Sequence, residues 1–317
     1  MPPLPDTHDD NSSPSTSPRG ADEERLLDVF LRTLSSPQTR KTYNTEIRAF
    51  FSYTREHLGK GLPEITVEDV SLYREHVLGR YSPATAAKKL TALRRFLTFS
   101  YMGGITRVSP EALRFFAKSP RVRQDPSYDV LTEEELARML SAARADNPRD
   151  YALLAVMAGC GLREAEVVQL RVGDFREHGE GVLLRVRGKG DKVRNVPVSP
   201  ELWSLVQRYI LSSGRSLSSR VDAGKPLFPS RVGRDKPLTT RSIQNIVKKY
   251  VRAAGINKPI SPHSIRHTVG TNMAMNQAPL LVIQQFLGHS DPKTTMRYIR
   301  RAEEIASKAY RYNNLPL

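Results

Sequence analysis

Apolar residues recur at helical spacing along most of this chain. Tyr43, Ile47, Phe50 and Phe51 form one stripe, and Leu90, Leu93, Leu97 and Tyr101 form another. Start signals precede them. Ser36-Pro37 supplies an N-cap and a first helical position for a helix reaching about His57. Thr66, with Asp69 three residues on, opens VEDVSLYREHVL, and Ser82-Pro83 opens a helix to about Tyr101. Residues 25–118 are therefore predicted to form a small all-α domain. Lys88 and Arg95 point away from the second stripe, so that helix is apolar inside and basic outside.

The helical pattern breaks at SPRVRQDPSYD (119–129), whose two prolines and mixed charge read as a linker. A second domain, 130–317, opens with Thr132 ahead of Glu133-Glu134-Glu135, followed by a fully apolar helix containing YALLAVMAG. The period then changes. VLLRVR (182–187) and VRNVPV (193–198), joined by Gly188–Lys192, predict a hairpin, with helices resuming from about Glu201 to the end. The pattern as a whole predicts a mainly α chain with a small antiparallel β-sheet. Residues 1–24, rich in Pro, Ser and Asp, have almost nothing to bury and are expected to stay unordered.

Charge changes this picture. The net charge is +16, yet residues 1–24 carry six acids against Arg19, so the remaining chain carries +21. Such a body repels itself unless a polyanion is its usual partner, and nucleic acid is the leading one. Arg40 and Lys41, with Lys88 and Arg95, are candidate DNA contacts on the first domain; a merely solvated basic face is the alternative. Cys160 is the only cysteine, which excludes an internal disulfide and fits a reducing cytoplasm. No run of about 18 apolar residues exists to cross a membrane.

Candidate chemistry lies in the second domain. Arg163 sits in GLREAE, and a guanidinium fork suits the two non-bridging oxygens of a phosphodiester. Glu166, three residues on, can lock its rotamer, or the two can form a simple helix-capping pair. His263 and Arg266, in SPHSIRH, share one helix face just after an N-cap, where backbone donors favour anions. His263 and His267 have the spacing of a zinc dyad. No third ligand or HExxH glutamate accompanies them, so His267 reads as a buried supporting residue. Lys189 and Lys192 both lie in the RGKGDK turn, where either ammonium can reach a phosphate. His289 follows an apolar helix and a stop glycine in FLGHS. Tyr298 stands beside Arg297, Arg300 and Arg301, and such cations favour the phenolate.

Taken together, GLRxxE, GKGxK, HxxRH, LGHS and TTxxY, in this order, resemble the tyrosine recombinase superfamily, within it the Xer-type and phage-integrase-type enzymes. The resemblance covers residue 25 to the C-terminus. It implies a helical core-binding, SAM-like domain and a tyrosine-recombinase catalytic domain that together clamp DNA. It implies that Arg163 and Arg266 hold the scissile phosphate, Lys189 is the general acid, and His263 assists proton transfer from the nucleophile. His289 would bind the phosphate, and Tyr298 would form a 3′-phosphotyrosine. No cofactor is implied. The implied partners are double-stranded DNA with paired recombination sites, a homo- or hetero-tetramer on that DNA, and a second recombinase or accessory protein, in the cytoplasm and on the nucleoid. Ile299-Arg300 after the tyrosine departs from the Thr-His common in Xer enzymes, so dimer resolution and mobile-element integration both stay open. A type IB topoisomerase and a catalytically silent DNA-binding regulator are the competing expectations.

Overall fold

The computed structural model describes residues 18–121, 128–179, 181–188, 192–231, 233 and 235–307. The chain divides between Gln124 and Asp125 into two compact units. In the first, α1 (Pro18–Arg32), α2 (Pro37–Tyr53), α3 (Val67–Arg80), α4 (Pro83–Met102) and α5 (Pro110–Phe116) enclose one core. A π turn, Thr54–Leu58, prolongs α2 to the expected length. The serine and threonine caps sit where the sequence puts them. Ser36, Thr66 and Ser82 each accept the backbone N–H of the third residue on, and Asp69 answers Thr66 reciprocally. Phe30, Phe51 and Phe96 meet edge to face at the centre, with ring centroids 5.5 Å apart in each pair to Phe96.

Two expectations fail here. Residues 18–24, assigned to the unordered leader, form the first turns of α1; residues 1–17 lie outside the described residues. The reason is Glu23, buried despite its charge, whose carboxylate accepts the Leu62 N–H at 2.9 Å and so ties α1 to the following turn. Tyr101 is exposed although Leu90, Leu93 and Leu97 are buried, because the end of α4 outruns the core and Ser100 is the buried residue there.

The second unit begins with α6 (Glu133–Asp146), capped reciprocally by Thr132 and Glu135, and α7 (Pro148–Cys160). Leu153, Leu154, Val156, Met157 and Cys160 of α7 are wholly buried, and each large side chain so removed from water contributes about 1.5–3 kcal/mol. The Cys160 thiol, pushed up to about 12 by burial, is a packing group. After α8 (Glu164–Gln169) come β1 (Phe175–His178), β2 (Gly181–Arg187) and β3 (Val193–Val198), an antiparallel sheet in that order. The β2–β3 hairpin follows the predicted boundaries, with Val186 opposite Arg194. β1 was not expected; its FREH sequence carries no alternation to betray it.

Helices α9 (Pro200–Ser212), α10 (Arg220–Ala223), α11 (Thr240–Ala253), α12 (Pro262–Met275), α13 (Leu280–Leu287) and α14 (Pro292–Ser307) complete the unit. Helices do resume near Glu201, with one irregular interval among them. Between α10 and α11 the chain is irregular and held by isolated bridges, Arg171 to Pro226 and Pro229 to Pro237. Proline withholds an N–H, so this stretch can neither continue a helix nor extend a sheet. α12 packs against α7, α13 and α14, which brings three separate polar strings to one place.

Candidate active site

Each functional side chain is set by a helix end. Arg163 caps α8: its backbone N–H donates to Glu166 Oε2 at 2.9 Å and its Nη1 to Oε1 at 2.9 Å. One Glu166 carboxylate thus does both, capping through Oε2 and locking the Arg163 rotamer through Oε1. Ser261 caps α12 through the Ser264 N–H, and Arg266 follows one turn later. Arg266 has no exposed surface. Its Nη1 donates to Gly161 O at 2.7 Å and its Nη2 to Leu287 O, while its buried Nε has no hydrogen-bond partner among the described residues. Leaving a charged donor unused in the interior is costly, so the site holds a hydrogen bond in reserve for an acceptor. Burial, then the charge of Arg163, lowers the Arg266 guanidinium to about 10, still protonated at neutral pH.

α13 ends at Gly288, whose φ of +67° is the left-handed conformation that favours glycine. The turn carries His289 inward. Its Nδ1 lies 3.0 Å from Thr295 Oγ1, and its ring stacks on Tyr298 at 5.7 Å and 19°. Asp291 and Pro292 then start α14, with Asp291 accepting the Lys293 N–H, and Tyr298 follows two turns in. Tyr298 is 1% exposed. Its hydroxyl meets His267 Nδ1 at 3.1 Å. The ring lies so close to α12 that a β-carbon at Gly270 would sit 2.8 Å from it.

The electrostatics follow from this burial. His289 and His267 are both brought down to about 3, chiefly by burial and then by neighbouring groups: the charges of Arg266 and Arg163 for the first, and for the second the His263 ring, whose protonation would compete, with the charges of Arg297 and Arg266. His263 is exposed at the rim, yet the protein wall beside it and the charges of Arg266, Arg297 and Arg163 depress it too. All three imidazoles are neutral at pH 7, so each offers one donor and one acceptor. Tyr298 corrects an expectation. Arginines do surround it and lower its pKa, but burial is the larger influence and raises it, so the resting group is the phenol.

Arg163, Glu166, His263, Arg266, His267, His289 and Tyr298 therefore meet in one place. Lys189 lies outside the described residues. Its rival Lys192 is exposed at the base of the hairpin, where its carbonyl accepts the Gly188 N–H at 2.8 Å. Arg40, Lys41, Lys88 and Arg95 are exposed on the first unit, although Arg40 spends its Nε on Leu34 O and Arg95 lies over the Tyr43 ring. Among the described residues no cluster of three or more His, Cys, Asp or Glu is arranged to hold a metal ion.

Sequence reasoning missed Arg194, Thr295 and Tyr128. Tyr128 lies against His267, with ring centroids 4.2 Å apart and tilted by 31°, shares a hydrogen bond with Thr271 Oγ1, and has Arg297 over its face. Arg194 pairs with both Glu166 oxygens at 2.8 and 3.0 Å. One signal was available for it: on β3 it has the parity of buried Val196 and Val198, and a charge at an inward position needs a partner. Thr295 lies in the TTxxY string, but nothing there marks it as the partner of His289, and no sequence signal marks Tyr128.

A buried tyrosine ringed by two arginines and three neutral imidazoles, with an unused buried donor, is built to receive and attack an anionic ester such as a phosphodiester. The comparisons agree with that class. The phage integrase family model matches residues 129–304, and the phage integrase N-terminal SAM-like domain model matches residues 26–104. The chain belongs to the phage integrase family of tyrosine recombinases. It is 33% identical to the tyrosine recombinase XerD of Proteus mirabilis over 89% of this chain and 88% of that one. It is 31% identical to the XerC of Thermodesulfovibrio yellowstonii over 86% and 89% of the two. In fold it resembles the XerH site-specific recombinase, solved in a post-cleavage complex with palindromic difH substrate, with a TM-score of 0.68 at 20% identity over 91% of this chain and 84% of that one.

Proposed function

We propose that this protein is a site-specific DNA recombinase that cuts and rejoins strands through a 3′-phosphotyrosine on Tyr298. Family membership carries the reaction class, and one observation carries the site: Arg163, Arg266, His263 and His289 converge around a single buried tyrosine. Arg163 and Arg266 bind the non-bridging oxygens, with the free Nε of Arg266 available to an added acceptor. His289, neutral and anchored by Thr295, donates its remaining N–H to the phosphate. His263 assists transfer of the phenol proton, and His267 orients the hydroxyl it already touches. Lys189 protonates the leaving 5′-oxygen.

Attack by tyrosine keeps the phosphodiester energy in a covalent ester, so rejoining consumes no ATP, and fixed cations supply the charge stabilisation that metal ions supply in many nucleases. The partner is duplex DNA carrying paired sites, bound by a tetramer whose four active sites act two at a time, in the cytoplasm. The basic body, with Arg40, Lys41, Lys88 and Arg95, supplies phosphate contacts. Chromosome or plasmid dimer resolution and mobile-element integration are both compatible with relatives named XerD and XerC. The topoisomerase and silent-regulator alternatives are not favoured, because those relatives are recombinases. A plasmid bearing two copies of the cognate site tests the reading. Exchange of flanking DNA is expected; relaxation of supercoils with no recombinant product would replace it with a topoisomerase.

A further inference from the structure

We infer that Arg194 is a positioning residue for the phosphate-binding arginines, acting through Glu166 and the end of α13; the inference rests on the recombinase reading above. Arg194 is itself spent. Both Nη atoms hold Glu166, and its Nε donates to Phe286 O at 3.1 Å. Its side chain is 14% exposed. Among the described residues Glu166, 3% exposed, is the carboxylate that pairs with three guanidinium groups: Arg163 at 2.9 Å, Arg194 at 2.8 Å and Arg266 at 3.9 Å. Burial alone would raise its pKa, but hydrogen bonds and charge from Arg194, then Arg163, outweigh this and keep it ionised.

The same three arginines are sorted onto three consecutive carbonyls. Phe286 O accepts from Arg194, Leu287 O from Arg266 and Gly288 O from Arg163. These carbonyls form the negative end of α13, where cations are favoured. Gly288 permits the arrangement, since a β-carbon there would lie 2.7 Å from the Arg194 Cδ.

The consequence is a division of charge. A buried carboxylate facing only Arg163 and Arg266 draws them into its own ion pairs, leaving less positive charge for a phosphate. Arg194 satisfies that carboxylate with a bidentate pair reaching from β3 to α8. Glu166 can then act as a rest for Arg163 without neutralising it. Arg194 also pins the turn from which His289 projects, so one side chain sets three phosphate contacts.

The test measures formation of covalent complex on a nicked cognate site carrying either a normal phosphodiester or a neutral methylphosphonate at the scissile position. Arg194→Met is expected to slow cleavage of the phosphodiester about 10- to 100-fold, less than the 10²–10³ typical of losing a direct donor. It should slow the methylphosphonate far less, because that group asks for little charge neutralisation. Adding Glu166→Gln to Arg194→Met should restore much of the phosphodiester rate, since the competing carboxylate charge is gone. Equal slowing on both substrates, or no recovery in the double variant, would mean that Arg194 only holds the fold and would overturn the inference. Should Arg194→Met fail to fold, Arg194→Gln, which keeps a hydrogen-bond donor but loses the charge, must show the same preference for the methylphosphonate, and uniform slowing in it sinks the proposal. Wild-type protein is the control: if it forms no covalent complex on either substrate, the recombinase reading fails and takes the inference with it.

Discussion

Arg266 and Arg163 differ in ways that separate their variants. Arg163 is partly exposed and makes a local pair, whereas Arg266 is fully buried and satisfies two carbonyls from other elements. Replacing either with alanine is expected to slow cleavage about 10²–10³-fold, the range for losing a donor to a developing oxyanion. Arg266→Ala should also unfold at lower temperature, since Gly161 O and Leu287 O lose their partner, while Arg163→Ala should melt close to wild type. A calorimetric scan beside the cleavage assay checks both halves; cleavage at the wild-type rate in either variant would make that arginine structural. The imidazoles carry a pH prediction. His267 and His289 sit near 3 in the folded protein and near 6.5 when unfolded. Below 6.5 the unfolded chain binds protons that the folded one refuses, so stability present above pH 6.5 is lost as pH falls. Between 6.5 and 5 each should cost about 2 kcal/mol. A bound phosphate offsets the cations that help depress them, so the DNA complex should lose less. Thermal melts at pH 7 and pH 5 read this, and a flat profile for free protein would contradict it.

At the scale of elements, helices were legible because their signals are local. Ser36, Thr66, Ser82, Thr132 and Ser261 cap where the sequence says, and the hairpin ends where its alternation ends. What the sequence hid depends on contacts distant along the chain. α1 reaches back to Pro18 because Glu23 finds Leu62, thirty-nine residues on, and Tyr101 is exposed because of where a core stops. The arginine and histidine strings were legible as chemistry, but the phenol state of Tyr298 was not. Neighbouring cations can be read from a sequence, whereas burial against Gly270 cannot. The hairpin carries its own prediction. If Lys189 is the acid, Lys189→Ala should cleave poorly on a normal site, an effect typically worth about 10²–10⁴. It should recover when the leaving 5′-oxygen is replaced by sulfur, which needs little protonation. Lys192, at the base where β3 begins, should show no such rescue. The reverse pattern would exchange their roles.

For the whole molecule, charge and covalent chemistry are separable. The body beyond residue 24 carries +21 and should contact many phosphates, so the logarithm of the binding constant should fall with that of salt at about −0.9 per phosphate neutralised. Tyr298→Phe should leave that slope unchanged, because the hydroxyl is buried and uncharged at rest. A slope near zero for the wild type would remove DNA as the polyanion. The central claim is that one buried tyrosine becomes the covalent link to DNA, and mass spectrometry of a complex trapped on a nicked cognate site tests it most directly. A single adduct is expected, on the peptide containing Tyr298 and absent from Tyr298→Phe; an adduct on Tyr310, Tyr312 or any other residue, or one that persists in Tyr298→Phe, would contradict that role.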